Sequence, residues 1–337
     1  MPRPVNIAVI GTGRMGSVHT RNLARFIPEA NLVALCDIRL EVAQALADEL
    51  GVKRVVRDYH DLLADQSIEA ILIASNTNTH AFIMKDVAAA GKHIFCEKPL
   101  ALDLASIDNA LAVIEKSGVK LQVGFNRRFD KSFKRVHDIV ASGDIGRPCI
   151  LRIASRDPEP PSVEYARTSG GMFLDMTIHD FDMARYQVGE IEEVYAIGNV
   201  LVAPNYATIG DLDTNIVTLK FTNGAVGVID NSRQAVYGYD QRLEVFCSNG
   251  VALAENEFEN VAVKGDQEGY HSARLPHFFM NRYAPCYVEE VRQFIECVRD
   301  DKPTPTTGKD GRMAVVLCHA AWKSYRENRP VKLSEIG

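Results

Sequence analysis

Up to about residue 125, apolar runs of strand type alternate with stretches whose apolar positions recur every three to four residues. Residues 6–10, 32–37, 70–75, 93–96 and 121–125 read as strands, and 14–27, 41–50, 80–90 and 104–116 as helices. Pro28, Gly51, Gly91 and Gly118 mark the helix ends. These strands are built on runs of consecutive apolar residues, the pattern of strands covered by helices on both faces. Strand–helix alternation of this kind predicts a doubly wound parallel sheet.

The pattern then changes. A helix over 131–142 is followed by strands at 149–154, 194–200, 214–221, 225–231, 243–247 and 251–254. Asn223-Gly224 and Asn249-Gly250 lie between apolar runs and predict hairpin turns. Helices return over 288–298 and 312–326, while Pro158, Pro160 and Pro161 mark an irregular loop. The expected architecture is a parallel α/β domain over 1–125 and an α+β domain over 126–337, the latter built on a large, mainly antiparallel open sheet. The exposed face of such a sheet offers a self-association surface, and a homo-oligomer is expected.

Composition narrows the setting. A chain of 337 residues suits two domains. A net charge of −6 gives no footprint for nucleic acid or an anionic membrane. A local basic stretch, Asn126-Arg127-Arg128 with Lys131, Lys134 and Arg135, reads in its last three members as a solvated helix face. No apolar run reaches the length of a membrane span. The first apolar run enters a glycine loop directly, as a first strand does and a signal peptide does not. The seven cysteines are scattered without a Cys-x-x-Cys pair, the usage of free thiols in a reducing cytoplasm.

Candidate chemistry begins at Gly11-Thr12-Gly13-Arg14-Met15-Gly16. It follows a predicted strand, opens a predicted helix, and is followed about 20 residues on by Asp37 at the end of the second strand, the dinucleotide fingerprint. Gly11 permits the tight turn, Gly13 the approach of a pyrophosphate, and Gly16 close helix–strand packing, with Arg14 and Met15 opening the helix. Free N–H groups and the positive dipole end favour the phosphates. Asp37 accepts from ribose hydroxyls and repels a 2′-phosphate, so NAD is expected over NADP; Arg39 is the residue that would relax this preference. Ser75, Asn76 and Thr77 follow the next strand at its carboxyl end, where ligands bind. His80 stands among the first residues of the helix that follows.

Glu97-Lys98-Pro99 also ends a strand at this edge. In the second half, Gly170-Gly171 opens a helical pattern in which Asp175 and His179 stand four residues apart. On a regular helix that spacing puts both on one face, about 5–6 Å apart at Cβ. A carboxylate beside an imidazole makes a general base near neutral pH. Asp175, His179, Asp180 and Asp182 also have metal-ligand character, but Asp180 and Asp182 cannot both share the face of His179, and no metal is expected.

Taken together, Gly11-x-Gly13-x-x-Gly16, Glu97-Lys98-Pro99, Gly124-Phe125-Asn126-Arg127-Arg128-Phe129-Asp130 and Asp175-x-x-x-His179 resemble the Gfo/Idh/MocA oxidoreductases. The likeness runs over essentially the whole chain and is greatest to the bacterial inositol 2-dehydrogenases. It implies a catalytic triad of Lys98, Asp175 and His179, a cis peptide before Pro99, and Arg127 lining the nicotinamide or substrate pocket. Glu97, Lys98 and Arg127 then join the cofactor contacts. Asp157, Tyr237, Tyr239 and Tyr283 fall where related enzymes contact a polyol, although tyrosines in an antiparallel sheet also serve as packing. The implied reaction is NAD-dependent oxidation of an inositol to an inosose, by a homotetramer. Asp175 either orients the imidazole or binds a neighbouring hydroxyl. Oxidation of an aldopyranose to a lactone is the alternative within the family, and a non-catalytic dinucleotide sensor the alternative outside it.

Overall fold

The computed structural model describes residues 3–336. The chain forms two compact units: residues up to Phe129 with Pro285–Val315, and Asp130–Ala284 with the chain from Val316.

The first unit carries strands β1 (Val5–Ile10), β2 (Ala30–Cys36), β3 (Arg54–Val56), β4 (Ala70–Ile73), β5 (His93–Cys96) and β6 (Leu121–Val123). All pair in parallel, in the order β3-β2-β1-β4-β5-β6. Helices α1 (Arg14–Phe26), α2 (Leu40–Leu50), α3 (His60–Leu63), α4 (Thr77–Ala89) and α5 (Leu104–Ser117) connect them. This is the doubly wound dinucleotide-binding order, in which the direction of winding reverses beside β1. Every residue of β4 is buried, as the continuous apolar run requires.

One difference from the sequence pattern concerns the helix Ala284–Arg299. Its apolar residues Val291, Phe294 and Ile295 belong to the same core as Val5, Ile7, Leu23 and Phe95. Residues 285–315 therefore belong with the parallel sheet, although they follow the antiparallel region in the chain. Periodicity identifies an apolar helical face but not the sheet that covers it.

The second unit begins with α6 (Lys131–Ser142), β7 (Pro148–Arg156) and α7 (Val163–Ser169). A π-helical turn over Met172–Thr177 runs into α8 (Ile178–Val188). Strands β8 (Ile191–Asn199), β9 (Thr214–Phe221), β10 (Val226–Ser232), β11 (Asp240–Cys247) and β12 (Gly250–Ala254) follow. They form a sheet in the order β12-β11-β7-β10-β9-β8, extended by the edge strand Val331–Lys332. All of its pairings are antiparallel except β7 with β10. Both predicted hairpins are present: β9 turns into β10 through Asn223-Gly224, with Gly224 at φ +89°, and Cys247 pairs with Gly250 across the second turn.

Burial alternates along β9, as expected for a sheet with one packed face. On the open face, Lys220, Val226, Ile150, Phe246 and Val251 lie side by side in register across five strands. A small exposed hairpin, Val263–Asp266 with Gly269–Ser272, was not signalled by the alternation.

Candidate active site

The glycines of the first loop are required for three separate reasons. Gly11 has φ +91°, and a Cβ there would stand 2.5 Å from the Ser75 nitrogen. A Cβ on Gly16 would stand 1.8 Å from the Gly11 carbonyl, so the helix and loop could not approach. Gly13 faces open space and is the N-cap of α1, with no side chain capping the first turn. The leading N–H groups of α1 are thus offered to an anion.

Asp37 closes the other side of this loop. Its Oδ2 accepts from the Thr12 amide at 2.7 Å and the Thr12 hydroxyl at 2.8 Å, and its Oδ1 from the Arg39 amide at 2.9 Å. Burial opposes the charge, but these donors and the Arg39 guanidinium together hold the carboxyl below the usual range. Arg39 itself extends into solvent, 3.9 Å from Asp37. Arg14 is exposed and Met15 half-buried at the start of α1.

Helix α4 begins at Thr77, three residues before the predicted start, with extended Asn76 as its N-cap. The Ser75 and Thr79 hydroxyls are bonded at 2.6 Å. His80 is buried, and its ring nitrogens face the Pro99 carbonyl at 2.9 Å and the Ser75 carbonyl at 3.0 Å. Burial lowers its pKa despite these carbonyls, so the neutral ring donates to one of them. His80 thereby ties the end of β4 to the loop after β5. In that loop the Lys98–Pro99 peptide is cis, and Lys98 is half-buried. The carboxylate of Glu97 is turned inward: Oε1 meets His19 Nε2 at 2.5 Å, and Oε2 accepts from the Lys98 amide at 3.2 Å. Arg127 is buried in the 3₁₀ turn Asn126–Phe129 that follows β6.

In the second unit, Gly170 and Gly171 take φ +92° and +76°. Asp211 occupies the space beside Gly171, its Oδ1 accepting from the Met172 amide at 2.9 Å. Asp175 lies in the π-helical turn and His179 in the first turn of α8, both half-buried. π-helical turns are rare and recur at functional sites.

Asp175 is held from two sides: Tyr165 donates its hydroxyl to Oδ1 at 2.9 Å, and Arg233 donates from Nη1 to Oδ2 at 2.9 Å. Arg233 is buried and also lies 3.8 Å from Asp157. Burial opposes its charge, but Asp175 and Asp157 more than compensate and push its pKa up. The parallel pairing of β7 with β10 explains the grouping. Arg156 and Ser232 are in register, so the next residues, Asp157 and Arg233, emerge side by side.

The three tyrosines are placed differently from one another. Tyr237 is half-exposed, donating to Asp240 at 2.7 Å and accepting from Arg156 at 3.0 Å. Tyr239 and Tyr283 are buried edge to face, with centroids 5.9 Å apart, and Tyr283 donates to Gln241 at 3.3 Å. Asp180 and Asp182 are buried, and Asp180 accepts from Asn231 at 2.9 Å. The structure thus groups Asp157, Asp175 and Arg233 in one constellation and Glu97, Lys98 and His80 in another. Arg233, Tyr165 and His19 carried no local sequence signal, because their roles follow from pairings between distant segments.

Residues 5–125 match the model of an oxidoreductase family with an NAD-binding Rossmann fold, and residues 133–253 the GFO/IDH/MocA C-terminal domain. The chain belongs to the GFO/IDH/MocA oxidoreductase family. It is 49% identical to myo-inositol 2-dehydrogenase of Thermotoga maritima, over 98% of this chain and 99% of the relative. It is 35% identical to the scyllo-inositol 2-dehydrogenase (NAD(+)) of Bacillus subtilis, over 99% of this chain and 97% of that one. The scyllo-inositol dehydrogenase of Lactobacillus casei, solved with NAD(H) and scyllo-inositol, superposes with a TM-score of 0.93 at 29% identity, covering 98% of this chain and 100% of that one. As a family member the chain is an oxidoreductase with an NAD-binding domain. No helix among the described residues is long and apolar enough to cross a membrane.

Proposed function

We propose that this protein oxidises a ring hydroxyl of an inositol to the ketone, with NAD as acceptor. The observation that carries the reading is the end-to-end similarity to a myo-inositol 2-dehydrogenase at 49% identity. The glycine loop, the uncapped N-terminus of α1 and Asp37 fit the pyrophosphate and ribose of such a cofactor. When bound, NAD supplies the hydride acceptor; everything else falls to side chains.

His179 takes the hydroxyl proton as the carbon gives up its hydride. Lys98, as an ammonium, stabilises the negative charge that develops on that oxygen. Asp175 stabilises the imidazolium formed on His179. Its own position is fixed by Tyr165 and Arg233, so its charge does not reorganise during the reaction. Asp157, Arg127 and Tyr237 are assigned to the remaining substrate hydroxyls.

The base is tested with His179→Ala. The expected result is a kcat at least about a hundredfold lower, with NADH binding retained. A variant with near-normal kcat and an unchanged pH profile removes His179 from this role.

We further propose that the open sheet face, with Val226, Phe246, Val251 and Leu253 partly exposed, is covered by other copies of the chain in a homotetramer. A light-scattering mass near the 37.3 kDa of one chain would contradict that assembly.

A further inference from the structure

Beneath the Lys98 loop lies a buried group of three titratable side chains, none of which is given a proton-transfer or substrate-binding role above. His19 on α1, Glu97 after β5 and Glu290 on the helix Ala284–Arg299 offer side-chain atoms within 4.8 Å of one another, and all three are buried. His19 has no exposed surface and meets Phe95 and Tyr287 edge-on, at 5.3 and 5.9 Å between centroids. Phe294 closes against Phe95.

We propose that Glu97 is a positioning residue for Lys98, held at one oxygen by His19, walled by Glu290, and fixing the Lys98 peptide with its other oxygen. Hydrogen bonding supports the assignment. Glu97 Oε1 stands 2.5 Å from His19 Nε2, and Oε2 accepts from the Lys98 amide at 3.2 Å, so both oxygens are engaged. Placing the imidazole hydrogen on Nε2 leaves Nδ1 without one, and Nδ1 is the ring nitrogen with no partner among the described residues. Behind the carboxylate there is no slack, since a Cβ on Gly124 would stand 3.0 Å from Glu97 Oε2. This gives Gly124 a physical reason.

Glu290 is the wall. Its side-chain oxygens have no hydrogen-bond partner among the described residues, and Gln122 bonds only its main-chain carbonyl. Two carboxylates this close in an apolar pocket cannot both be charged. Burial, with Glu97 adding to it, pushes the Glu290 carboxyl well up and keeps it neutral. Glu97, engaged by His19 on one side and the Lys98 amide on the other, is the carboxyl that holds the loop. On the far side of Lys98, His80 faces the Pro99 carbonyl, so the loop is restrained at both ends.

The inference rests on the role proposed for Lys98 and is tested with a double-mutant cycle on the full-length enzyme with NAD. Glu97→Gln keeps the shape but removes the charge. The expected result is a kcat at least about tenfold lower in the otherwise native enzyme, but less than about twofold lower in a Lys98→Ala background, because a residue acting through Lys98 has nothing left to position. The same comparison is made on the Kd for myo-inositol of the NADH-bound enzyme, which needs no turnover. If Glu97→Gln does not fold, His19→Gln enters the same cycle.

Equal losses in both backgrounds, or a lowered Tm with kcat unchanged, would overturn the positioning role while leaving Lys98 in place. Native kcat in Lys98→Ala alone would instead remove the reading on which the inference rests. One tightly bound metal ion per chain, lost in Glu290→Gln, would also overturn it.

Discussion

Arg233 donates from Nη1 to Asp175 Oδ2 at 2.9 Å, and the arginine is only 1% exposed. A charge buried this deeply is retained only where anions meet it, and Asp175 and Asp157 do so. Replacing it with Arg233→Met would leave two carboxylates facing each other across an apolar side chain. Breaking a buried pair by removing one partner costs about 3–5 kcal/mol. We expect a clearly lowered Tm and, in the folded fraction, a kcat at least about tenfold lower. Native values of both would show that Arg233 does not hold Asp175.

Asp37 anchors the cofactor loop through Thr12 and the Arg39 amide, and its charge is opposed to a 2′-phosphate. In Asp37→Ser the charge is lost while Arg39 remains, exposed and within reach. The ratio of kcat/KM for NAD over NADP should fall by at least about tenfold. An unchanged ratio in steady-state assays with the two cofactors would place discrimination elsewhere.

Glu290 makes a prediction about pH. Its folded pKa is raised, mainly by burial, so between the ordinary carboxyl range and that raised value the folded chain holds a proton that the unfolded chain releases. The contribution is harmless below the ordinary range and becomes destabilising as pH climbs above it, by at most about 1.4 kcal/mol per pH unit. Wild type should therefore lose stability relative to Glu290→Gln as pH rises from about 5 to about 8. Parallel Tm curves for the two proteins over that range would mean that Glu290 is charged in the folded state.

The parallel unit was legible because its information is local. Strand β4 is an uninterrupted apolar run and β1, β2 and β5 carry such runs over 7–10, 32–36 and 94–96, and the glycine loop and Asp37 are fixed by spacing along one stretch of chain. The hairpins at Asn223-Gly224 and Asn249-Gly250 were legible for the same reason. What lay beyond reach depends on contacts between distant segments. Nothing near Arg233 in the chain indicates that it meets Asp175, because that follows from β10 running parallel to β7. Likewise the apolar face of Ala284–Arg299 gives no sign that it covers the first sheet, nor that Glu290 would come to lie beside Glu97. The segment around Asp175 has the spacing of a regular helix, and the structure instead widens it into a π-helical turn, a feature with no reliable signature in residue type.

The central claim is tested most directly by following NADH formation with myo-inositol, scyllo-inositol, D-glucose and L-glucose, each with NAD. The account predicts the highest kcat/KM for one of the two inositols. A higher value for a glucose would contradict the substrate assignment and transfer the same residues to a sugar. No turnover with any of the four, in protein that binds NAD, would contradict the catalytic reading itself.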